Sequence, residues 1–493
     1  MPSSPPPLSI ASLPHYSGTL RLPDYDRACL VPSIVHIGVG GFHRAHQALY
    51  FDDLAAQGET GWGVIGVGLH HPQMGEVLTA QDCLFTVVER SPGRESARVV
   101  GSVVDYLYAP ANPEAVLRVL ADPRTRVVTL TITGAGYLVD DAGRFTAEDP
   151  DVRHDLAHPL RPRTVVGYLA EALDRRRRVG CPPFTVLSCD NLPDSGAAAR
   201  AAVLGYAELR NPHLEAWIER HVTFPSSMVD RITPETSPEM RDVIEETLGV
   251  ADRWPVVTEP FRQWIVEDAF CNGRPPLERV GVQFVDHVAP YKAVKARMLN
   301  GGHCALGYLG VLAGHARTDE AMADPVVRGI VERILAEEVQ PLVPRVLGVD
   351  LDEYRRTTLE RFANPAIGDT LARLCRRGSV KMPSYLLPSL REARERGGPR
   401  AMLVLAVAAW LLYLRGADLT GRPIQVVDPR ADQLRELASF GGNDPRPLLG
   451  LRSVFGSMGD DAELVAEIGG ALGDLSRYGI EAALRACVLP RAA

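Results

Sequence analysis

The chain has 493 residues, of which 46% are hydrophobic and 23% are charged, so it has an ordinary globular composition and enough length for two or three domains. Its 53 basic and 61 acidic residues give a formal net charge of −8, which argues against a nucleic-acid-binding protein because such proteins carry a basic excess. No run of about 18 apolar residues is present, so no membrane-spanning helix is predicted.

The N-terminal segment 1–14 is rich in proline and lacks the basic start and long apolar stretch of a secretion signal, so we expect a loosely packed lead-in. The 8 cysteines are widely spaced and form no C-x-x-C pair, which predicts reduced thiols in a cytoplasmic protein. Neither cysteines nor histidines have the spacing of a zinc site, so we expect no metal.

The first regular pattern along the chain is a strand, a helix and a second strand. Ser33–Gly38 is a short apolar run, His43–Gln57 has apolar residues at helical spacing, and Gly63–Leu69 is a second apolar run. This β-turn-α-β unit has the length of a mononucleotide-binding half.

Glycines at the end of the first strand suit a bound pyrophosphate. Gly38 and Gly40 fit the first two glycines of G-x-G-x-x-G, but His43 occupies the third position. Glycines allow the backbone to approach an anion closely, and the N–H groups of the following helix favour it. The same residues are equally consistent with a tight turn in a core.

The segment after the second strand, which selects the cofactor in such folds, lacks an acid. An acidic side chain there holds the ribose hydroxyls of NAD, whereas this chain has LHHPQ at 69–73 and no acid before Glu76. His70 or His71 could accept the 2′-phosphate of NADP, or both could be surface residues. These residues leave NAD and NADP both open.

Further strands alternate with helices in the first half of the chain. Apolar runs at Arg126–Thr133 and Phe184–Cys189, with a helical pattern at Arg163–Arg177, predict a mainly parallel, doubly wound sheet of Rossmann type. Helical patterns dominate after residue 285. We therefore predict an α/β fold with a Rossmann-type domain at 1–285 and a mostly α-helical domain at 286–493.

One helix of the second domain is apolar on nearly every side. Ala401–Leu414 contains AMLVLAVAAWLLYL, which is too short to cross a bilayer. We predict that this helix is buried among other helices.

The second domain is predicted to begin with a helix that contains Lys295, Asn300 and His303. At about 100° per residue, Asn300 lies about 140° and His303 about 80° around this helix from Lys295, so the three share one side. A desolvated lysine can accept an alcohol proton, and an asparagine can donate to a developing oxyanion. Spacing alone favours an amphipathic helix with a solvated lysine and a capping asparagine.

Six segments, in this order, give the chain a family resemblance. They are I-x-x-x-G-x-G-x-F-H-R-A-H (Ile34–His46), SCDNLP (Ser188–Pro193), MVDRITP (Met228–Pro234), VTEPFRQWIVED (Val257–Asp268), K-x-x-x-x-N-G-x-H (Lys295–His303) and KMP (Lys381–Pro383). By these motifs the chain resembles the mannitol dehydrogenase family of polyol-specific long-chain dehydrogenases.

The resemblance implies metal-independent, reversible oxidation of a secondary alcohol, with D-mannitol and D-fructose as the substrate pair and NAD as the cofactor. It implies that Lys295 is the general base, that Asn191 and Asn300 donate to the oxyanion, and that His303 binds substrate hydroxyls. The remaining implied contacts are Asp230, Arg373 and Lys381 for the polyol, and Ile37, Gly38, Gly40, Gly41, Phe42 and Arg44 for the cofactor. A monomer whose only partners are small molecules is also implied.

Some residues in these motifs have simpler interpretations. Asp230 could be a helix N-cap or a loop residue, and Cys189 and Cys304, which neighbour the implied site, are interpreted as packing thiols.

Two residues depart from the family pattern. Lys292 stands where the family commonly has an acid after the helix proline, and Gly134 stands where it commonly has the acid of T-E-x-G-Y. Both acids would lie near the proton exit of the base, so the route by which Lys295 returns its proton is open. A second lysine at 292 could lower the pKa of Lys295 by repulsion, or it could point to solvent.

Two other functions compete with polyol oxidation. Within the family, the chain could reduce a keto-uronate such as fructuronate, whose carboxylate Arg373, Lys381 or Lys292 could bind. Alternatively, loss of both acids could mark a non-catalytic nucleotide-binding regulator, although Lys295, Asn191, Asn300 and His303 argue against one.

Overall fold

The computed structural model describes residues 5–140 and 143–488 and divides into two compact units, Met1–Ala289 and Pro290–Ala493. The boundary predicted after residue 285 lies close to this division. The first four residues of the N-terminal lead-in, and the side chain of Cys487, lie outside the described residues.

The rest of the N-terminal lead-in is packed, so the prediction of a loose segment is wrong. Pro7 forms a bridge with Ala251, and the amide of Leu8 donates to the Ala251 carbonyl at 3.1 Å. Leu8 and Tyr16 are buried in an apolar cluster with Val88. Burial of these side chains, which outweighs the flexible composition of the segment, holds it in place.

A five-stranded parallel sheet forms the centre of the first unit. The strands of the unit, in chain order, are β1 (Pro32–Ile37), β2 (Gly63–Gly68), β3 (Phe85–Ser91), β4 (Arg94–Val100), β5 (Val103–Tyr108), β6 (Val127–Leu130), β7 (Thr185–Ser188), β8 (Ser227–Asp230), β9 (Val256–Thr258), β10 (Gln263–Glu267) and β11 (Gln283–Val285). The order of the parallel sheet is β5-β2-β1-β6-β7. Successive strands are therefore added on one side of β1 up to β5 and on its other side from β6 onward. Rossmann-type sheets bind ligands at this reversal point between β1 and β6.

Helices cover both faces of this sheet, as predicted. They are α1 (Gly41–Ala45), α2 (Gln47–Ala56), α3 (Gln73–Ala80), α4 (Pro113–Ala121), α5 (Pro150–Ala157), α6 (Val165–Arg178), α7 (Ser195–Arg210), α8 (Pro212–His221) and α9 (Pro238–Leu248), with 3-10 turns at Leu13–Tyr16, Arg27–Cys29, Thr60–Trp62, Gly134–Tyr137 and Leu277–Val280. Alternate residues of β1 enter different clusters: Val35 and Ile37 pack with α6, whereas Ile34 packs with α2. This alternation confirms the doubly wound arrangement.

Two smaller sheets in this unit were not predicted. One has the order β11-β10-β8 and the other β4-β3-β9. Several of these strands are only three to five residues long, which is too short for alternation to distinguish a strand from a loop.

The predicted helix His43–Gln57 is interrupted, so its prediction as one continuous element is wrong. His46 has φ −127° and ψ −86°, which separates α1 from α2. Its ring Nε2 lies 2.9 Å from the Gln263 carbonyl oxygen, and the ring packs edge-on against Trp264. These tertiary contacts outweigh the helical preference of the local sequence.

The second unit consists of helices, and its described residues contain no strand beyond isolated bridges. Its elements are α10 (Ala289–Val294), a π-helix (Lys295–Asn300), α11 (Gly301–Leu312), α12 (Thr318–Ala323), α13 (Pro325–Arg333), a second π-helix (Ile334–Val339), α14 (Leu351–Phe362), α15 (Leu371–Cys375), α16 (Gly378–Tyr385), α17 (Leu387–Glu395), α18 (Ala401–Tyr413), α19 (Ala431–Gly441), α20 (Arg446–Leu449), α21 (Arg452–Phe455) and α22 (Ala462–Val488, interrupted at Gly479), with 3-10 turns at Gln340–Leu342 and Met458–Asp460. The mostly helical second domain is therefore confirmed.

Helix α18 is the buried apolar helix that the sequence predicted: every residue after Ala401 is buried. Over the described residues, no helix combines the length and apolar character needed to cross a membrane. The first turn of α18 is capped by Glu338, whose two carboxylate oxygens accept from the amides of Met402 at 2.9 Å and Leu403 at 2.7 Å. A carboxylate at this position satisfies two amides that have no partner within the helix.

Replacement of this cap should destabilise the second unit. Glu338→Gln keeps the shape but turns one acceptor into a donor that faces a buried amide, so we expect the free energy of unfolding to fall by about 2 kcal/mol. The exposed neighbour Glu337→Gln is the matched control and should change it by less than about 0.5 kcal/mol. Urea unfolding, with hydrogen exchange at the Met402 and Leu403 amides, measures both; equal stability of the two variants would contradict the capping role.

Candidate functional site

The glycine-rich turn follows the end of β1 directly. Gly38 has φ +100°, and a Cβ at this position would lie 2.1 Å from the carbonyl oxygen of Thr131, the residue that follows β6. Only glycine permits this approach. The Thr131 hydroxyl in turn donates to the Gly38 carbonyl at 2.8 Å, so the turn after β1 is attached to the segment after β6.

The residues predicted to contact the cofactor divide into two groups. Gly38, Gly40, Gly41 and Phe42 are partly exposed around the start of α1, whereas Ile37 and Arg44 are buried.

Two of the partly exposed glycines leave space for a ligand to contact the main chain. A Cβ on Gly40 would have no atom nearer than 3.9 Å, and one on Gly41 none nearer than 4.0 Å. The main chain at this point of the turn is therefore open on the side where a side chain would project, as a pyrophosphate site requires.

Arg44, by contrast, is used inside the unit. Its guanidinium donates to the Trp254 carbonyl and lies over the ring of Phe85, with 5.5 Å from the guanidinium carbon to the ring centroid. Burial lowers the pKa of Arg44 to about 10. This side chain therefore attaches α1 to Trp254 and Phe85 on the buried side of the turn.

Three buried histidines lie beneath the turn. The rings of His36 on β1 and His43 on α1 stack with centroids 3.4 Å apart, and the ring nitrogens of His36 lie 2.8 Å and 2.9 Å from the hydroxyls of Thr129 and Thr131. Burial lowers the pKa of His36 and of His46 to about 3, and it lowers that of His43 well below its usual value. All three are therefore neutral at physiological pH.

The segment after β2 carries the two histidines at the predicted cofactor-selecting position. His70 and His71 are both exposed, and Glu76 is exposed in the first turn of α3. The Tyr108 hydroxyl, at the end of the adjacent strand β5, donates to the His70 carbonyl at 3.4 Å.

Asn191 and Asp230 each follow or end a strand of the first unit. Asn191 lies in the segment after β7, where the preceding residue, Asp190, accepts hydrogen bonds from the segment after β6. Asp230 ends β8 and is 2% exposed, so it is neither a helix cap nor a loop residue. The Ser227 hydroxyl of β8 donates to the Ser188 carbonyl of β7 at 2.7 Å, which joins these two strands.

In the second unit, Lys295 and Asn300 are the first and last residues of the π-helix. The predicted separation of about 140° assumed α-helical geometry and is therefore wrong. Hydrogen bonds in a π-helix run from residue i to i+5, so its turn is wider than an α-helical turn and Lys295 and Asn300 lie closer together around the helix axis, on the same side. Lys295 is only 7% exposed, so the solvated-lysine interpretation is excluded.

His303 lies on α11, one turn beyond Asn300, within a group of cations. Its ring packs on Phe362 with centroids 4.3 Å apart. Burial lowers the pKa of His303 well below its usual value, and Arg373, Arg361, Lys381 and Lys295 lower it further. A neutral imidazole among cations can donate to, or accept from, a substrate hydroxyl.

The two predicted polyol cations also make structural contacts. Arg373 pairs with the buried carboxylate of Asp369 through Nε and Nη2, each of which donates to a different carboxylate oxygen. Lys381 donates to the carbonyls of Arg373 at 3.3 Å and Leu374 at 3.0 Å, and burial lowers its pKa. Sequence reasoning did not single out Asp369 or Arg361, since neither has a recognisable spacing from the motif residues.

The glycines of α11 serve helix packing. A Cβ on Gly310 would lie 2.7 Å from Leu371 and 2.9 Å from Ala321, and one on Gly307 would lie 3.1 Å from Leu374. These contacts are with neighbouring helices, so packing alone explains the glycines at these positions.

No group of three or more His, Cys, Asp or Glu side chains among the described residues could hold a metal ion. Cys189 and Cys304 are buried free thiols, as are all described cysteines except the exposed Cys29 and the partly exposed Cys181 and Cys271. Burial raises the pKa of Cys304 to about 12, consistent with a packing role.

Each unit therefore assembles its own part of the predicted site. In the first, the segments that follow β1, β6 and β7 are joined by hydrogen bonds and carry the glycine-rich turn and Asn191. In the second, the π-helix and α11 place Lys295, Asn300 and His303 in sequence along one helical segment.

Both units of the chain match domains of one known family. Residues 32–279 match the mannitol dehydrogenase Rossmann domain, and residues 287–476 match the mannitol dehydrogenase C-terminal domain. A mannitol 2-dehydrogenase of Aspergillus fumigatus is 45% identical over 472 residues, which cover 94% of this chain and 94% of the relative. A mannitol dehydrogenase of Saccharomyces cerevisiae is 44% identical over 468 residues, which cover 94% and 93%.

Two solved structures are also similar over nearly the whole chain. A Pseudomonas fluorescens mannitol 2-dehydrogenase in ternary complex with NAD and D-mannitol has a TM-score of 0.90 and 42% identity, covering 98% of this chain and 99% of its own. A D-sorbitol dehydrogenase in substrate-free form has a TM-score of 0.89 and 38% identity, covering 97% and 100%.

The neutral histidines beneath the turn should make the first unit sensitive to acid. Each histidine stays neutral in the folded state but takes a proton near pH 6.5 when the chain is unfolded. Protonation therefore favours the unfolded state, and the free energy of unfolding falls as the pH drops below 6.5. Removal of one, by His43→Phe, should reduce the loss of unfolding free energy between pH 7 and pH 5 by about 2 kcal/mol.

Urea unfolding at both pH values measures this difference. His213→Phe is the control, because His213 is exposed on α8 and should leave the pH dependence as in the unchanged protein. A His43→Phe variant with the full acid sensitivity would mean that the buried ring is not the source of it.

Proposed function

The chain belongs to the mannitol dehydrogenase family, and we propose that it interconverts D-mannitol and D-fructose by hydride transfer with NAD. The observation that carries the proposal is a buried lysine, Lys295, placed one π-turn from an asparagine, Asn300. The mannitol 2-dehydrogenase relatives, one of them solved with NAD and D-mannitol, support the choice of substrate and cofactor.

The glycine-rich turn fits NAD. Gly38 lets the turn pass close to the segment after β6, whereas Gly40 and Gly41 leave the main chain open at the reversal point of the sheet, with Phe42 partly exposed beside them. Ile37 and Arg44 support this turn from the buried side. NAD, when bound, supplies the acceptor for the hydride.

The chain's own residues handle the proton and the oxygen. We assign Lys295 to take the proton of the substrate hydroxyl, because its buried amine lies on the same helical segment as Asn300 and His303 and an amine can act as a general base. Asn191 and Asn300 donate their amide N–H groups to the oxygen as its negative charge develops. In ketose reduction, the same lysine returns the proton.

Other polar side chains orient the polyol chain. His303, neutral at physiological pH, binds substrate hydroxyls, and Asp230, Arg373 and Lys381 bind the remainder of the chain. Arg373 and Lys381 are held by Asp369 and by backbone carbonyls, so their positions are set before the substrate arrives.

Oxidation of D-sorbitol is the second candidate, because a D-sorbitol dehydrogenase is 38% identical over nearly the whole chain. Assays with mannitol, sorbitol, arabinitol and mannonate, each with NAD and with NADP, separate these substrates. Highest kcat/KM with mannitol supports the proposal, whereas highest kcat/KM with sorbitol or mannonate replaces it. Cofactor binding without turnover on any substrate would favour a non-catalytic regulator.

A cytoplasmic, monomeric enzyme is part of the proposal. Buried free thiols, among them Cys83, Cys189 and Cys375, suit a reducing compartment. Sedimentation of the purified chain measures the oligomeric state.

Lys295→Ala tests the base. Without the amine, turnover should fall by about 10²- to 10⁴-fold while NAD still binds, because the cofactor turn lies in the other unit of the chain. Lys292→Ala is the matched control, since it removes a partly exposed lysine three residues earlier and should keep most of the turnover. Steady-state kinetics and NAD titration give both quantities; near-normal turnover of Lys295→Ala would refute the mechanism.

A further inference from the structure

The carboxylate of Asp190 ties together the two segments that follow β6 and β7. One oxygen accepts from the amide of Thr133 at 2.9 Å. The other accepts from the amide of Ile132 at 2.9 Å and from the hydroxyl of Tyr137 at 2.8 Å. Three donors from a single segment therefore converge on one acid, which immediately precedes Asn191 in the chain.

The segment that Asp190 holds is strained. Thr133 has φ +63° and ψ 164°, a conformation that β-branched residues rarely adopt. A backbone conformation of this kind persists only where surrounding contacts impose it. The hydrogen bond from the Thr133 amide to Asp190 is such a contact.

Tyr137 closes the arrangement against the end of the strand. Its hydroxyl lies 2.5 Å from the hydroxyl of Ser188, the last residue of β7, as well as 2.8 Å from Asp190, and the side chain is 1% exposed. The start of the segment after β7 is thus fixed at both Ser188 and Asp190, with Asn191 next in the chain.

We infer that Asp190 is a positioning residue that acts through Asn191, and this inference rests on the proposed function of Asn191 as an oxyanion donor. Asp190 engages both of its oxygens with the segment after β6, so the backbone that carries Asn191 is held to the neighbouring loop. The side chain is suited to this task because a carboxylate accepts at both oxygens, whereas an amide must present a donor at one of them.

Asp190→Asn is the principal test. The amide group would face either the Thr133 amide or the Ile132 amide and the Tyr137 hydroxyl, and the loop should shift. A displacement of about 1 Å at a reacting group can cost about 10²-fold, so we expect kcat for mannitol oxidation to fall by about that factor while the NAD dissociation constant is unchanged. A larger primary isotope effect with mannitol deuterated at the reacting carbon should accompany the loss.

A double-variant cycle separates positioning from general damage. Asp190→Asn should cause no further loss of kcat when Asn191 is already alanine, because its effect passes through that side chain. Additive losses would overturn the inference. Tyr137→Phe, which removes one of the three donors and keeps the carboxylate, should give a smaller loss in kcat and keeps the test usable if Asp190→Asn does not fold.

Asp155 supplies a matched control in the same unit. It is fully buried, whereas Asp190 is partly exposed, and like Asp190 it accepts three hydrogen bonds: from the amides of Arg163 at 2.8 Å and Thr164 at 2.9 Å and from the Thr164 hydroxyl at 2.7 Å. Asp155→Asn should therefore lower thermal stability without changing kcat. If it lowers kcat as much as Asp190→Asn does, the effect is structural and the inference fails.

Hydrogen exchange distinguishes failure of this inference from failure of the proposed function. Loss of protection at the Ile132 and Thr133 amides in Asp190→Asn is expected whether or not the chain oxidises polyols. Unchanged protection would overturn the role of Asp190. Absence of turnover in the unchanged protein would instead overturn the proposed function.

Discussion

The first unit depends on the close approach of the Gly38 backbone to the Thr131 carbonyl, which no other residue at 38 would allow. It joins the end of β1 to the segment after β6, and the Thr131 hydroxyl returns a hydrogen bond to Gly38. Asp190 then joins that segment to the one after β7. Three loops at the carboxyl edge of one parallel sheet are thus connected in series, from the glycine-rich turn to Asn191.

A different constraint organises the second unit. Lys295 is almost fully buried, and the same helical segment leads to His303, which other cations surround. Cations held this close to one another disfavour protonation of the histidine, and desolvation makes a charged lysine costly. The wider turn of the π-helix places Lys295 and Asn300 on the same side of this segment, although five residues would separate them more widely in an α-helix. The cost of burying these groups is more consistent with a site than with packing.

Much of the fold followed from hydrophobic patterns, since β1, β2, α6 and α18 each have a clear period or run, and the parallel sheet and helical second unit are confirmed. The break at His46 and the π-helix were not predictable, because long-range contacts and an extra residue per turn leave no local signal. For the site, motifs identified candidate residues whose roles remain predictions. Asp190 lay within a quoted motif, yet only the structure shows its three donors.

The segment that Asp190 holds also contains Gly134, the position at which the sequence lacks the acid of the family pattern. A Cβ at 134 would lie 3.3 Å from the side chain of Leu192, so a larger residue would press on the segment that carries Asn191. The backbone before it is already strained at Thr133 and is held by Asp190. In this chain the geometry of the loop therefore comes from the acid at 190 rather than from a side chain at 134. Any group that moves protons from the site must lie elsewhere than at position 134.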